Sequence, residues 1–161
     1  MISFLIIGLI VFTLCSGFLS GTETAMFSLS SIKVRTYQHS HDDRKRLIAR
    51  LVLHPRDLLV TILMLNIFAN IMVQNFASSL FGSFAGWSLR VGVPLAITLV
   101  FGEIIPKSLA IRNNERLAPI ASPVISSLQS FFGPIRKVII GITGAISRVL
   151  FFFLSKESPV T

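Results

Sequence analysis

Apolar residues in this chain come in blocks, and the blocks are about as long as a bilayer is thick. Roughly residues 2–29, 58–81 and 91–111 predict three membrane spans, since a crossing helix needs about 20 mostly apolar residues. The first begins as plain hydrocarbon and changes character at Cys15-Ser16-Gly17-Phe18-Leu19-Ser20-Gly21-Thr22-Glu23-Thr24-Ala25. Small residues there permit close helix approach, and Gly17 and Gly21 form a G-x-x-x-G pair. The second carries Asn66, Asn70, Gln74 and Asn75, and Phe81-Gly82-Ser83-Phe84-Ala85-Gly86-Trp87 predicts a short turn with Trp87 as an interfacial anchor. The third contains Pro94 and the stretch Gly102-Glu103-Ile104-Ile105-Pro106-Lys107.

Beyond Leu117 the pattern weakens. Pro119, Pro123 and Pro134 break it, and Arg136, Lys137 and Arg148 interrupt it. Two short helices over residues 117–154, lying at the cytoplasmic interface, explain this better than a fourth straight span; a kinked span is the alternative. Residues 155–161 read as a linker, and the chain reads as a transport core (residues 1–154) cut from something longer. The fold class is therefore an all-α integral membrane protein, with three transmembrane helices and a juxtamembrane helical pair.

Composition agrees with the blocks. Hydrophobic residues make up 52% of the chain and charged residues 14%, too little polar surface for a soluble domain of this size. The net charge of +8 changes the picture only through its placement. Lys33, Arg35, Arg44, Lys45, Arg46, Arg50 and Arg56 crowd the segment after the first span, with Tyr37 as the one aromatic among them. That is a topology signal and an anionic-lipid contact, not a nucleic-acid surface. The loop after the second span holds only Arg90. The positive-inside rule places the N-terminus outside and the C-terminus in the cytoplasm of a multi-pass protein of the plasma or inner membrane. Cys15 is alone, which excludes an intrachain disulfide. No positive charge precedes the first block and no small-x-small cleavage site follows it, so it reads as a retained span.

Ionisable groups at membrane depth are costly and mark function by default. Glu23 and Glu103 qualify. Ser16, Ser20 and Glu23 fall at i, i+4 and i+7, on one helical face, and Asn66 and Asn70 repeat the spacing on the second span. Pro106 has no N–H, so the carbonyl of Gly102, four residues earlier, loses its helical partner. A freed carbonyl beside the Glu103 carboxylate, in an opened or π-bulged turn, predicts an oxygen-only cation site. Hydroxyl, amide, carbonyl and carboxylate oxygens suit Mg²⁺, Ca²⁺ or Na⁺. His39, His41 and His54 lie apart, in the basic segment. Asn75 points away from the Asn66/Asn70 face and reads as a helix contact. The bland reading is that Ser and Asn only bond neighbouring helices; Glu23 is balanced between function and an ion pair with Lys or Arg. There is no H-E-x-x-H, no nucleophile elbow and no histidine near the polar cluster, which argues against an enzyme.

The Ser16-Gly17-Phe18-Leu19-Ser20-Gly21-Thr22-Glu23 stretch, then Asn66 and Asn70, then Phe101-Gly102-Glu103-Ile104-Ile105-Pro106-Lys107 resemble the transmembrane domain of the CNNM/CorC magnesium transporters, in order and spacing across nearly the whole chain. The resemblance implies a homodimer that exports Mg²⁺ by alternating access, coupled to Na⁺ influx, with a dehydrated ion held near the membrane centre. It implies ligands from Ser16, Ser20, Asn66 or Asn70, the Gly102 carbonyl and Glu103. Gly17, Gly21, Glu23, Pro106 and Lys107 would serve gating or packing. Family members continue into cytosolic CBS domains, which this sequence does not include. Two rivals remain: a membrane anchor that dimerises soluble sensor domains, and a Na⁺ or proton carrier built on Glu103.

Overall fold

Helix α1 (Ile2–Phe27) and helix α4 (Pro55–Phe81) form the main antiparallel pair. At 26 and 27 residues each reaches about 40 Å, enough to cross a hydrocarbon core of about 30 Å. A computed structural model describes residues 2–81 and 86–154. The third membrane-length rod is composite: α5 (Trp87–Ile97), a π-helical stretch (Thr98–Ile104) and α6 (Ile105–Arg112) run on without a break. Among the described residues three helices are long and apolar enough to cross a membrane, within a residue or a few of the expected spans. The predicted turn around residues 82–85, the Trp87 side chain and the tail 155–161 lie outside the described residues.

The spans bury little of themselves. Ile2, Phe4, Ile7, Leu14, Ile67 and Phe68 are exposed, as lipid-facing positions are, because hydrocarbon gives apolar side chains no reason to hide. Away from the basic segment, α1 and α4 are joined by aromatic rings. Phe12 stacks on Phe76 with centroids 5.7 Å apart, and Phe4 meets the edge of the same ring at 6.0 Å.

The buried apolar core sits at the other end of the bundle, around the basic segment. The sequence predicts a loop there; the structure has two helices, α2 (Ser31–Gln38) and α3 (Asp43–Leu53). Ser30 and Asp42 cap them by accepting from the backbone N–H of Lys33 and Arg44. Their apolar residues Val34, Ile48, Ala49 and Leu51 join Leu58 and Ile62 of α4 in one cluster. Each aliphatic side chain buried from water contributes about 1.5–3 kcal/mol, which the spans cannot gain inside lipid.

Helix α7 (Asn114–Phe131) completes that cluster with Ala118, Ala121 and Ile125. The expected breaks at Pro119 and Pro123 do not occur: both prolines lie inside α7. Each removes one backbone hydrogen bond, and the buried Ala118–Ile125 face holds the helix across the gap. The chain turns instead at Phe132, with Pro134 in the first turn of α8 (Gly133–Leu154), where a missing N–H is free of cost. The predicted helical pair after the third span is thus present, at 18 and 22 residues longer than expected.

Candidate polar site between the spans

Ser16 lies on the face of α1 that meets α4, and it is fully buried. Its hydroxyl is 2.7 Å from the side-chain oxygen of Asn66 and 2.7 Å from that of Asn70. The i, i+4 spacing of the two asparagines is what lets both reach the same hydroxyl. A serine has one proton to donate, so the three oxygens share a single hydrogen bond among two acceptors. One oxygen pair is left in contact without a proton between them.

The third rod closes the other side. A Cβ added to Gly102 would stand 3.0 Å from Ser16 Oγ, so a larger residue there would have to push the serine hydroxyl aside. Gly102 is buried, whereas its neighbour Glu103 is half-buried and has no hydrogen-bond or ion-pair partner among the described residues. One turn along α1, Ser20 Oγ is fully buried with no hydrogen-bond partner. An orphan buried hydroxyl costs on the order of 1–3 kcal/mol and therefore asks for an explanation.

The rod is wound as the sequence predicts, in a π-helical register, but the freed carbonyl shifts. The i→i−4 count from Pro106 gives Gly102. The Ile105 N–H bonds to Val100 O instead, an i→i−5 step, and the same step from Pro106 lands on Phe101. Phe101 O faces α1: it would be 3.0 Å from a Cβ on Gly17, as would Pro106 Cγ. A Cβ on Gly21 would stand 3.4 Å from the Pro106 carbonyl oxygen. The G-x-x-x-G pair therefore seats the proline turn of the third rod.

Glu23 is drawn away from the Ser16 cluster. Its carboxylate is 4.0 Å from Lys107 Nζ, nearer the basic end. Asn75 is exposed and donates to Ile71 O of its own helix, so it takes no part. No group of three or more His, Cys, Asp or Glu gathers among the described residues; the oxygens that converge are hydroxyl and amide.

A second set of polar contacts ties the basic end together, and sequence spacing gives no hint of it. Lys33 pairs with Glu115, 82 positions away. Asn114 donates to the hydroxyl and carbonyl oxygens of Ser28, at 3.0 and 3.2 Å. Arg136 lies 3.8 Å from Asp57. The Lys33 ammonium holds the Glu115 carboxyl below its ordinary range, and the Glu115 hydrogen bond raises the pKa of Lys33.

Comparison with known proteins adds a lineage. A family model described as the cyclin M (CNNM) transmembrane N-terminal domain matches residues 6–161. A UPF0053 protein of Haemophilus influenzae is 30% identical over 138 residues, covering 83% of this chain and 33% of that protein. The UPF0053 inner membrane protein YfjD of Escherichia coli is 28% identical over 139 residues, 84% of this chain and 32% of its own length. A chloroplastic DUF21 domain-containing protein of Arabidopsis thaliana is 28% identical over 138 residues, 84% and 21%. The chain thus spans about a third or less of the length of these relatives.

Proposed function

The chain belongs to the CNNM family of transmembrane domains, and from that premise we propose that it is the membrane passage of a magnesium transporter. The observation that carries this reading is the proton deficit at Ser16: three oxygens converge with one hydrogen between them. A cation in their midst turns that conflict into coordination. Ser16, Ser20, Asn66, Asn70 and Glu103 offer side-chain oxygens toward the six that Mg²⁺ takes, and the opened Phe101–Gly102 turn is where a backbone carbonyl would join them. Mg²⁺ dehydrates reluctantly, so the oxygens must replace its water while Glu103 supplies charge. Pro106 keeps the rod open beside them. Export against Na⁺ influx by alternating access, a homodimer, an outside N-terminus and cytosolic CBS regulators all rest on the resemblance and on the basic-residue asymmetry.

A second reading has its own support. Turning over one carboxamide would point an N–H at Ser16 and satisfy all three groups as plain helix packing, the mark of an anchor module. Thermal stability in detergent, titrated with Mg²⁺, Ca²⁺ and Na⁺, separates the two. A bound cargo at 100 times its Kd raises stability by about 2.7 kcal/mol. Transport predicts a saturable Mg²⁺ shift that Glu103→Ala abolishes, followed by Mg²⁺ flux in liposomes. An unchanged melt at millimolar Mg²⁺ would leave the anchor reading.

A further inference from the structure

On the side of α1 away from the asparagines, a groove of about 910 Å³ runs between α1, the third rod and α7. Its walls include Leu14, Phe18, Ile97, Phe101, Leu109 and Ile120, and its floor is Gly17, Gly21 and Pro106. Along α1 it extends from Leu9 to Thr22, roughly 20 Å at the helical rise. One leaflet of hydrocarbon is roughly 15 Å deep, half of the full core. The groove is therefore long enough to hold one extended acyl chain and still reach the interface.

At its basic end the groove is lined by Asn113 and Arg116. Arg116 is exposed and makes no ion pair or hydrogen bond through its side chain among the described residues. We infer that this groove binds an anionic phospholipid, with an acyl chain along Gly17–Gly21 and the phosphate at Arg116 and Asn113. Charge decides against a second copy of the chain as the occupant. Among the described carboxylates, Glu115, Asp43, Asp57 and Glu23 face Lys33, Arg46, Arg136 and Lys107. Asp42 caps its own helix, and Glu103 lies within the span. Among the described residues a second copy would bring another unpaired arginine and no exposed carboxylate free of a partner to meet it. A lipid phosphate meets the guanidinium directly, and a cation near an anionic lipid surface gains about 1 kcal/mol.

The test is native mass spectrometry of the chain released from nanodiscs of equal phosphatidylglycerol and phosphatidylcholine. The expected result is one retained phospholipid per chain, with phosphatidylglycerol favoured about fivefold, the factor equivalent to 1 kcal/mol. Arg116→Gln should bring the two lipids to parity while a chain is still retained. Leu14→Trp, or Ile120→Trp should the first not fold, should fill the groove and abolish retention. Arg148→Gln, an exposed cation elsewhere, should change nothing. Equal retention of both lipids by the wild-type chain overturns the proposal, as does fivefold selectivity that survives Arg116→Gln. Absence of retained lipid, with Leu14→Cys in a Cys15→Ser background forming a disulfide-linked dimer, would assign the groove to a second copy.

Discussion

Gly102 shows how a single missing methyl can set the geometry of a polar site. In a helix interior, Gly→Ala gains about 1 kcal/mol from backbone entropy. Here the new methyl would stand 3.0 Å from Ser16 Oγ, and overpacking costs about 1–3 kcal/mol. The two terms nearly cancel, so Gly102→Ala should melt within about 1–2 kcal/mol of the wild type. The cation response is a different matter, because the methyl pushes Ser16 off its two amide oxygens. Mg²⁺ titration of the melt should show the stabilising shift lost in this variant; a full shift would mean that the approach of Gly102 to Ser16 does not matter to the site. Ser20 belongs to the same scale. Its spacing from Ser16 marks it as a possible ligand, but only the structure shows that its hydroxyl is buried without a partner.

At the scale of elements, the third rod stores an irregularity that a regular helix would not keep. Pro106 withholds an N–H, the register widens over Thr98–Ile104, and the Pro106 ring seats on Gly17. Pro106→Ala restores the donor, a change worth up to about 3 kcal/mol in a helix interior, and lets the rod tighten to i→i−4. The expected outcome is a chain as stable as the wild type or more so, with a weakened Mg²⁺ shift and slower Mg²⁺ flux. A variant whose shift and flux match the wild type would show the proline to be passive. The proline, the glycine and the acid could be read from sequence because their chemistry is local, and so could the spans, because lipid demands unbroken apolar length. The count from Pro106 slipped by one residue since register is a property of the whole turn. Helices α2 and α3 were hidden for another reason. Their charge is conspicuous, whereas the apolar face that folds them, Leu47, Ile48 and Leu51, gains its burial from α7 more than sixty positions later.

The whole molecule divides its labour between two solvents. Aromatic rings and small residues join the spans in lipid, and a water-driven core with charged straps closes the basic end. The Lys33–Glu115 strap carries a defined pH dependence. The folded pKa of Glu115 is depressed from its ordinary 4.5, so its contribution is present above that value and lost as pH falls through the folded pKa. Lys33 is raised from its ordinary 10.5, so its contribution is present below that value and lost as pH rises through the folded pKa. Stability should therefore be flat in this term from pH 4.5 to 10.5. Both side chains are largely exposed, so the effect is small and screened by salt. Melting of Glu115→Gln against the wild type at neutral pH should show a modest deficit that vanishes in molar salt and in acid. A deficit indifferent to both would assign Glu115 a role other than its charge.

The position of α7 in the chain also fixes an order of events at synthesis. Ile48, Ala49 and Leu51 are made early, yet Ala118, Ala121 and Ile125, which cover them, are made only after the third rod. Until the translocon has released all three spans, the nascent protein presents α3 as a sticky amphipathic helix. A nascent chain that has reached only the second span therefore leaves the α7-facing side of that surface uncovered.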